Sequence, residues 1–233
     1  MDLKMKILSI ETSGKICGIS ILEDKKIIKE VTLDNGLTHS ETLMPLINKT
    51  FEEINLSLND INLIVCDKGP GSFTGIRIGI ATAKAFSDAL NIKSIGISSL
   101  EALCYNVENS KVICSLIDAK NENCYWSVFE KADGNYIQRR NFDINNIDYI
   151  LEELQGLNLE YNIEFVGDGA FAYKEKILKS LPNSTFCDKA ISPAKLALCG
   201  LNHFKDGDIS DDLLPMYLRK SQAEIVLEEK FEK

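Results

Sequence analysis

The chain has 233 residues, 45% of them hydrophobic and 26% charged, with a formal net charge of −9. That length can bury a substantial core as one large or two small domains, and no apolar run approaches the roughly 20 residues of a membrane-spanning helix. The acidic balance argues against independent binding to a nucleic-acid backbone unless basic side chains gather on one face. The first residues run straight into a strand-like segment without a signal-type apolar core, which points to the cytoplasm. Seven cysteines, odd in number and without a Cys-x-x-Cys pair, indicate neither a disulfide framework nor a zinc site and read as buried thiols. Residues 1–100 hold 11 basic and 12 acidic side chains while 101–233 hold 15 and 23, so two lobes divided near residue 100 are expected.

Three short strands open the chain, Lys6–Glu11, Ile16–Leu22 and Lys26–Leu33, separated by turn-forming residues. Thr38 or Ser40 caps a helix to about Ile54, with Leu43, Leu46, Ile47, Thr50, Phe51 and Ile54 on one stripe. Strand Ile61–Cys66 leads through a glycine-rich turn into a helix from Phe73 to about Leu90. Strand Ile92–Ile97 and a helix capped by Ser98 or Ser99, running to about Asn106, complete the first series. Strands Lys111–Asp118 and Cys124–Glu130 follow. Beyond them come helix Ile147–Gln155, strand Ile163–Gly167, helix Tyr173–Leu181, helix Pro193–Phe204 and the segment Leu213–Arg219. An antiparallel meander followed by alternating strands and helices is an α/β pattern.

Two motifs stand out. Gly69-Pro-Gly-Ser-Phe-Thr-Gly-Ile-Arg-Ile-Gly79 turns a strand into a helix whose N-terminus could hold an anion. It lacks the ending of a P-loop, and its Gly69-x-Gly71-x-x-x-Gly75 spacing is one residue too long for a dinucleotide fingerprint. The four-residue spacing of Gly71, Gly75, Gly79 and Ala83 fits close helix packing better, within the chain or across a dimer. Glu11-Thr12-Ser13-Gly14 forms a hairpin turn whose small hydroxylic residues could approach a phosphate. An ordinary hairpin turn explains it better, and no second carboxylate can be set beside Glu11 from sequence. His39 and His203 lie far apart with no recognised ligand spacing, so no metal site is expected. His39 at a helix start suits capping or an interface.

Taken with Ile10-Glu-Thr-Ser13, Thr38-His-Ser-Glu-Thr-Leu-Met-Pro45, Gly69–Ala83 and Ser94–Leu100, these motifs resemble the TsaB (YeaZ) family of tRNA threonylcarbamoyladenosine biosynthesis proteins. Ile117-Asp-Ala119 with Tyr125-Trp126, Val166-Gly-Asp-Gly169 and Pro215-Met-Tyr-Leu-Arg219 extend the resemblance nearly end to end. It implies a two-lobed actin-like ATPase (ASKHA, RNase H-like) fold, with lobes 1–100 and 101–233 and a helix near 193–204 that could pack back on the first lobe. The implied function is a non-catalytic scaffold for the catalytic subunit TsaD, which places threonylcarbamoyl on N6 of adenosine 37 of tRNAs reading codons that start with A. In that relative a metal is held by a His-x-x-x-His helix start and a later Asp. Those positions fall here on Ser99, Leu103 and near Ser192, and its phosphate turn falls on Asp118-Ala-Lys-Asn-Glu122, so no catalytic residue is expected.

The implied partners are a TsaD-like subunit, a TsaE-like ATPase, a second copy when the chain is alone, and tRNA only within the complex. The implied pairing face is His39, Leu43, Leu46, Ile47, Thr74, Gly75, Arg77, Ile78, Gly79, Thr82 and Ala83, in a four-helix arrangement centred on Gly75, Gly79 and Ala83. On that expectation, Leu at position 75 or 79 abolishes pairing and spares the fold. Glu11, Thr12, Ser13 and Gly14 are the residues expected nearest any nucleotide. No cofactor is expected to bind tightly, with ATP or ADP a candidate at the partner interface. The alternatives are an independent actin-like ATPase or small-molecule kinase using Glu11–Gly14, and a glycopeptidase, against which the missing His-x-x-x-His argues.

Overall fold

The computed structural model describes residues 4–34, 36, 38–132, 135–157, 162–205, 207 and 213–219. Strands β1 (Lys6–Glu11), β2 (Cys17–Glu23), β3 (Lys26–Leu33), β4 (Leu63–Asp67) and β5 (Lys93–Ile97) form a sheet in the order β3-β2-β1-β4-β5. The first three are antiparallel, and β4 and β5 run parallel to β1. β1 and β4 are apolar on both faces because both faces are covered, whereas β3, an edge strand bearing Lys26, Lys29 and Glu30, is largely exposed.

The alternation of side chains assigns each face a partner. Leu8, Ile10, Ile64 and Cys66 meet Leu43, Leu46, Ile47, Phe51, Ile76, Ile80 and Ala83 from α1 (His39–Glu53) and α2 (Phe73–Leu90). Ile7, Leu63 and Val65 meet Ala102 of α3 (Ser99–Cys104) and Ala194, Leu196, Ala197, Cys199 and Leu201. The last five belong to a helix at residues 193–205, so a segment far along the chain covers the back of the first sheet. Ser72 caps α2 by accepting from Gly75 N at 3.2 Å, and left-handed Asn91 ends it.

A second sheet repeats the topology. Strands β6 (Val112–Asp118), β7 (Asn123–Ala132), β8 (Asn135–Asn146), β9 (Ile163–Val166) and β10 (Thr185–Cys187) lie in the order β8-β7-β6-β9-β10, again with an antiparallel meander and two parallel additions. One face, with Trp126 and Phe165 fully buried, packs on α4 (Ile147–Gly156), α5 (Asp168–Ala172) and α6 (Lys174–Ser180). The other carries Ile113, Phe129 and Val166 against Leu103 and Cys104 of α3. The helix at 193–205 is α7 (Pro193–Lys205). α3 thus contributes to the cores of both lobes.

β8, α5 and β10 are absent from the sequence reading. β8 is a polar edge strand, while α5 and β10, at five and three residues, are too short to show a period. Leu213 is buried in the first core, Met216 N donates to Lys68 O at 2.7 Å, and Arg219 donates to Ala119 O at 3.1 Å, so this segment touches both lobes. The acidic stretch Glu224–Lys233 lies outside the described residues. Among the described residues no helix is long and apolar enough to cross a membrane.

Candidate functional site

The hairpin that opens the first sheet faces a cleft of about 310 Å³ between the lobes, bordered by Glu11, Ser13, Gly14 and Gly71 from the first lobe, by Leu103 of α3, and by Ile117 and Asp168 from the second lobe. β1 ends at Glu11, which is buried. Glu11 Oε1 accepts from Ser13 N and Ser13 Oγ, both at 2.8 Å, and from Gly14 N at 3.3 Å. Converging N–H groups of this kind make an anion cradle, and here the chain's own carboxyl fills it.

Parallel pairing of β4 with β1 sets a second carboxyl beside the first, that of Asp67, which is also buried. Asp67 Oδ1 accepts from Ser99 Oγ at 2.6 Å and Gly69 N at 2.7 Å, and Oδ2 accepts from Ser13 Oγ at 3.0 Å. Burial, and then the Asp67 charge, push the Glu11 carboxyl well above its ordinary range. Burial raises Asp67 too, against hydrogen bonds that favour its charged form. Charging Glu11 beside buried Asp67 is therefore disfavoured, and Glu11 Oε2 is buried with no hydrogen-bond partner.

The second hairpin answers the first. β6 ends at Asp118, whose Oδ1 accepts from Lys120 N at 2.9 Å and whose Oδ2 pairs with Lys120 Nζ at 2.5 Å. Lys120, Asn121 and Glu122 all have positive φ, 66°, 52° and 59°, so this turn is tightly left-handed. Asp118 N donates to Asp168 Oδ1 at 2.9 Å. Partial burial pushes the Asp118 carboxyl up, but the Lys120 hydrogen bonds and charge win and hold it below the ordinary range.

The positions aligned with the catalytic relative's metal ligands do not fit a metal. Leu103 offers no donor atom, the Ser99 hydroxyl is committed to Asp67, and the Ser192 hydroxyl donates to Glu30 Oε1 at 2.6 Å on the far side of α7. These groups serve the fold.

The pairing face expected from sequence needs correction. Leu43, Leu46, Ile47, Gly75, Gly79 and Ala83 are buried in the chain's own first core. A Cβ on Gly75 would stand 2.0 Å from Thr12 O, and one on Gly79 would stand 2.4 Å from Thr12 Oγ1. The glycine stripe therefore seats α2 on the β1 turn, where Thr12 Oγ1 donates to Gly75 O at 2.8 Å. The close packing is within the chain, helix against strand end, rather than helix against a partner's helix.

His39 is half-buried, with Nε2 3.0 Å from Gly14 O. Thr74 and Arg77 are exposed, and Ile78 and Thr82 are half-buried. Arg77 lies 4.0 Å over the Phe73 ring, and its Nε donates to Tyr217 Oη at 2.7 Å, while Tyr217 stacks on Phe73. Thr74 and Ile78 of the expected face do lie on the outward surface of α2, which Ala81 and Ala85 continue at three- and four-residue steps, and Met44 of α1 is 41% exposed. The stripe of small outward residues was present in the sequence but overshadowed by the glycines.

Two lobes of one topology, facing each other across a cleft, define the two-lobed actin-like ATPase class of fold. Within it, the chain belongs to the family of TsaD, tRNA N6-adenosine threonylcarbamoyltransferase, whose model matches residues 34–225. It is 29% identical over 230 residues to the tRNA threonylcarbamoyladenosine biosynthesis protein TsaB of Bacillus subtilis, covering 94% of this chain and 96% of that one. It is also 29% identical over 228 residues to TsaB of Buchnera aphidicola subsp. Baizongia pistaciae, covering 92% and 98%. YeaZ from Pseudomonas aeruginosa superposes with a TM-score of 0.76 at 18% identity, covering 92% of this chain and all of that one.

Proposed function

We propose that the chain acts in forming threonylcarbamoyladenosine in tRNA, as a non-catalytic subunit that docks on a TsaD-type transferase and supports its activity. The pathway is supported by the family and by the relatives' names. The non-catalytic role rests on one observation above all: the first lobe's hairpin turn, which borders the cleft, is filled by the chain's own Glu11 carboxyl, and the matching turn of the second lobe is filled by Asp118, with Asp168 at the cleft beside it. A phosphate entering either turn would have to displace that group and meet Asp67 or Asp168 behind it. The kinase-like reading loses its phosphate cradles, and the peptidase-like reading has no metal ligands at Ser99, Leu103 and Ser192.

The docking surface in this reading is the outer face of α1 and α2, with Met44, Thr74, Ile78, Ala81 and Ala85 as its contact residues. Small outward side chains let a partner helix approach closely, and Met44 adapts to the opposing shape. A second copy uses the same surface when the chain is alone, so the two pairings compete. A TsaE-type ATPase joins the assembled pair, and tRNA is gripped chiefly by basic surfaces of the partners, given the net charge of −9. ATP or ADP enters only as a ligand shared with the partner.

Light scattering on the chain, the TsaD-type subunit from the same source and their mixture tests the docking. The expected result is a one-to-one complex whose affinity falls at least about tenfold, or ~1.4 kcal/mol, on Ala81→Arg. Wild-type affinity in that variant would overturn the docking surface, and magnesium-dependent ATP turnover by the chain alone would overturn the non-catalytic role.

A further inference from the structure

The opposite side of α3 from the cleft carries a cluster that the proposed function does not use. Cys199 and His203 stand four residues apart on one face of α7, and Glu101 of α3 faces them. Their ligand-type atoms, one from each residue, lie within 4.8 Å of one another. His203 Nε2 is 2.6 Å from Glu101 Oε1. The Cys199 thiol is fully buried and within hydrogen-bonding reach of both the Glu101 carboxylate and the Tyr105 hydroxyl. Asn202 Nδ2 in turn donates to Tyr105 Oη at 3.2 Å. Glu101 comes from another helix about 100 positions earlier in the chain, so no local spacing marks the set.

We propose that Glu101, Cys199 and His203 form a binding site for a zinc-type divalent cation that fastens α7 to α3. One sulfur, one imidazole nitrogen and one carboxylate oxygen suit a borderline-soft ion better than magnesium or calcium. In a tetrahedral zinc site adjacent ligand atoms stand about 3.3–3.6 Å apart, given bonds of about 2.0–2.3 Å. The His203–Glu101 contact therefore opens by about 1 Å or less, and the thiol, within 4.8 Å of both partners, closes by about 1.3 Å at most, adjustments within side-chain rotation. The thiol proton leaves to solvent as the metal–sulfur bond forms.

Tyr105 then donates to the bound sulfur from outside the ligand set, the kind of support that orients a metal ligand. The fourth position opens toward a cavity of about 520 Å³ lined by Glu101, Tyr105, Tyr136, Gln138, Asn202 and His203. That leaves room for a water ligand. α7 covers the first sheet although it follows the second lobe in sequence, so a clasp between α7 and α3 holds the return of the chain where α3 joins both cores.

The test is titration of the full chain, reduced and stripped of metal, with Co2+ and then Zn2+. One equivalent of cobalt should give a thiolate charge-transfer band and the strong visible bands of a tetrahedral ion, both bleached by zinc. His203→Ala and Glu101→Gln, at partly exposed positions, should each weaken cobalt binding at least about tenfold, and Cys199→Ser should remove the charge-transfer band. Absence of the bands at one equivalent would overturn the site. So would bands unchanged in His203→Ala or Glu101→Gln, since any of the other cysteines would then hold the ion.

Discussion

The two lobes share one topology and end their first strands alike, in Glu11 and Asp118, yet these two carboxyls live under opposite electrostatics. Glu11 is buried against Asp67 and is pushed up, towards its neutral form. Asp118 is half-buried beside the exposed Lys120 and is held down, towards its charged form. Both nevertheless do the same thing to the fold, accepting from backbone N–H groups of their own hairpin turn. One repeated backbone can thus close the same turn by a buried carboxyl beside a second carboxyl or by a carboxyl paired with a lysine. The fourth strand of each lobe is likewise followed by a positive-φ glycine, Gly69 at 97° and Gly167 at 103°.

The comparison breaks most severely at the glycines. Gly75→Leu would drive a side chain into Thr12 O and should destabilise the chain by about 3 kcal/mol or more, seen as a lower denaturant midpoint for the whole protein. Loss of pairing with unchanged stability would instead restore the helix-to-partner reading of the stripe. In the second lobe Gly167→Ala meets Leu116 O at 2.2 Å in a backbone region that L residues rarely adopt, and about 2–4 kcal/mol is expected. Gly14→Ala, with open space around it, should stay within about 0.5 kcal/mol in the same assay.

The carboxyls sharpen the comparison through pH. A group raised in the folded state favours folding fully below its unfolded value, and that contribution is lost as pH rises through the raised value. This part of wild-type stability should therefore fall as pH rises above the ordinary carboxylate range, and Glu11→Gln, which cannot ionise, should flatten that fall in a denaturation series across pH. Asp118 has the reverse sign, since its contribution is present above the unfolded carboxylate value and lost as acid takes pH through the lowered one. Asp118→Asn should slightly reduce acid sensitivity, the smallest change of the set because the pair with Lys120 is solvent-screened. An equal fall with rising pH in wild type and Glu11→Gln would refute the raised Glu11 carboxyl.

Much of the first lobe was legible because its strands and helices carry clean periods: β1–β3, α1 and α2 fall almost where alternation and three-to-four spacing put them. The second lobe was less so, since β8 reads Asn-Tyr-Ile-Gln-Arg-Arg and pairs on one side only, giving weak alternation. The site divides in the same way. Glu11–Gly14 could be singled out as a turn, but its partner Asp67 arrives through parallel pairing, which local spacing does not reveal. The Gly75–Gly79 stripe announced a close approach, and only three dimensions name Thr12 as what approaches.

The central claim, docking without catalysis, is tested most directly by threonylcarbamoyl transfer to tRNA in a reconstituted mixture with the TsaD-type subunit. The chain carrying both Glu11→Gln and Asp118→Asn should support transfer at the wild-type rate, whereas Ala81→Arg should support little. Transfer lost with the carboxyl variants while the complex still forms, or retained in full with Ala81→Arg, would contradict it.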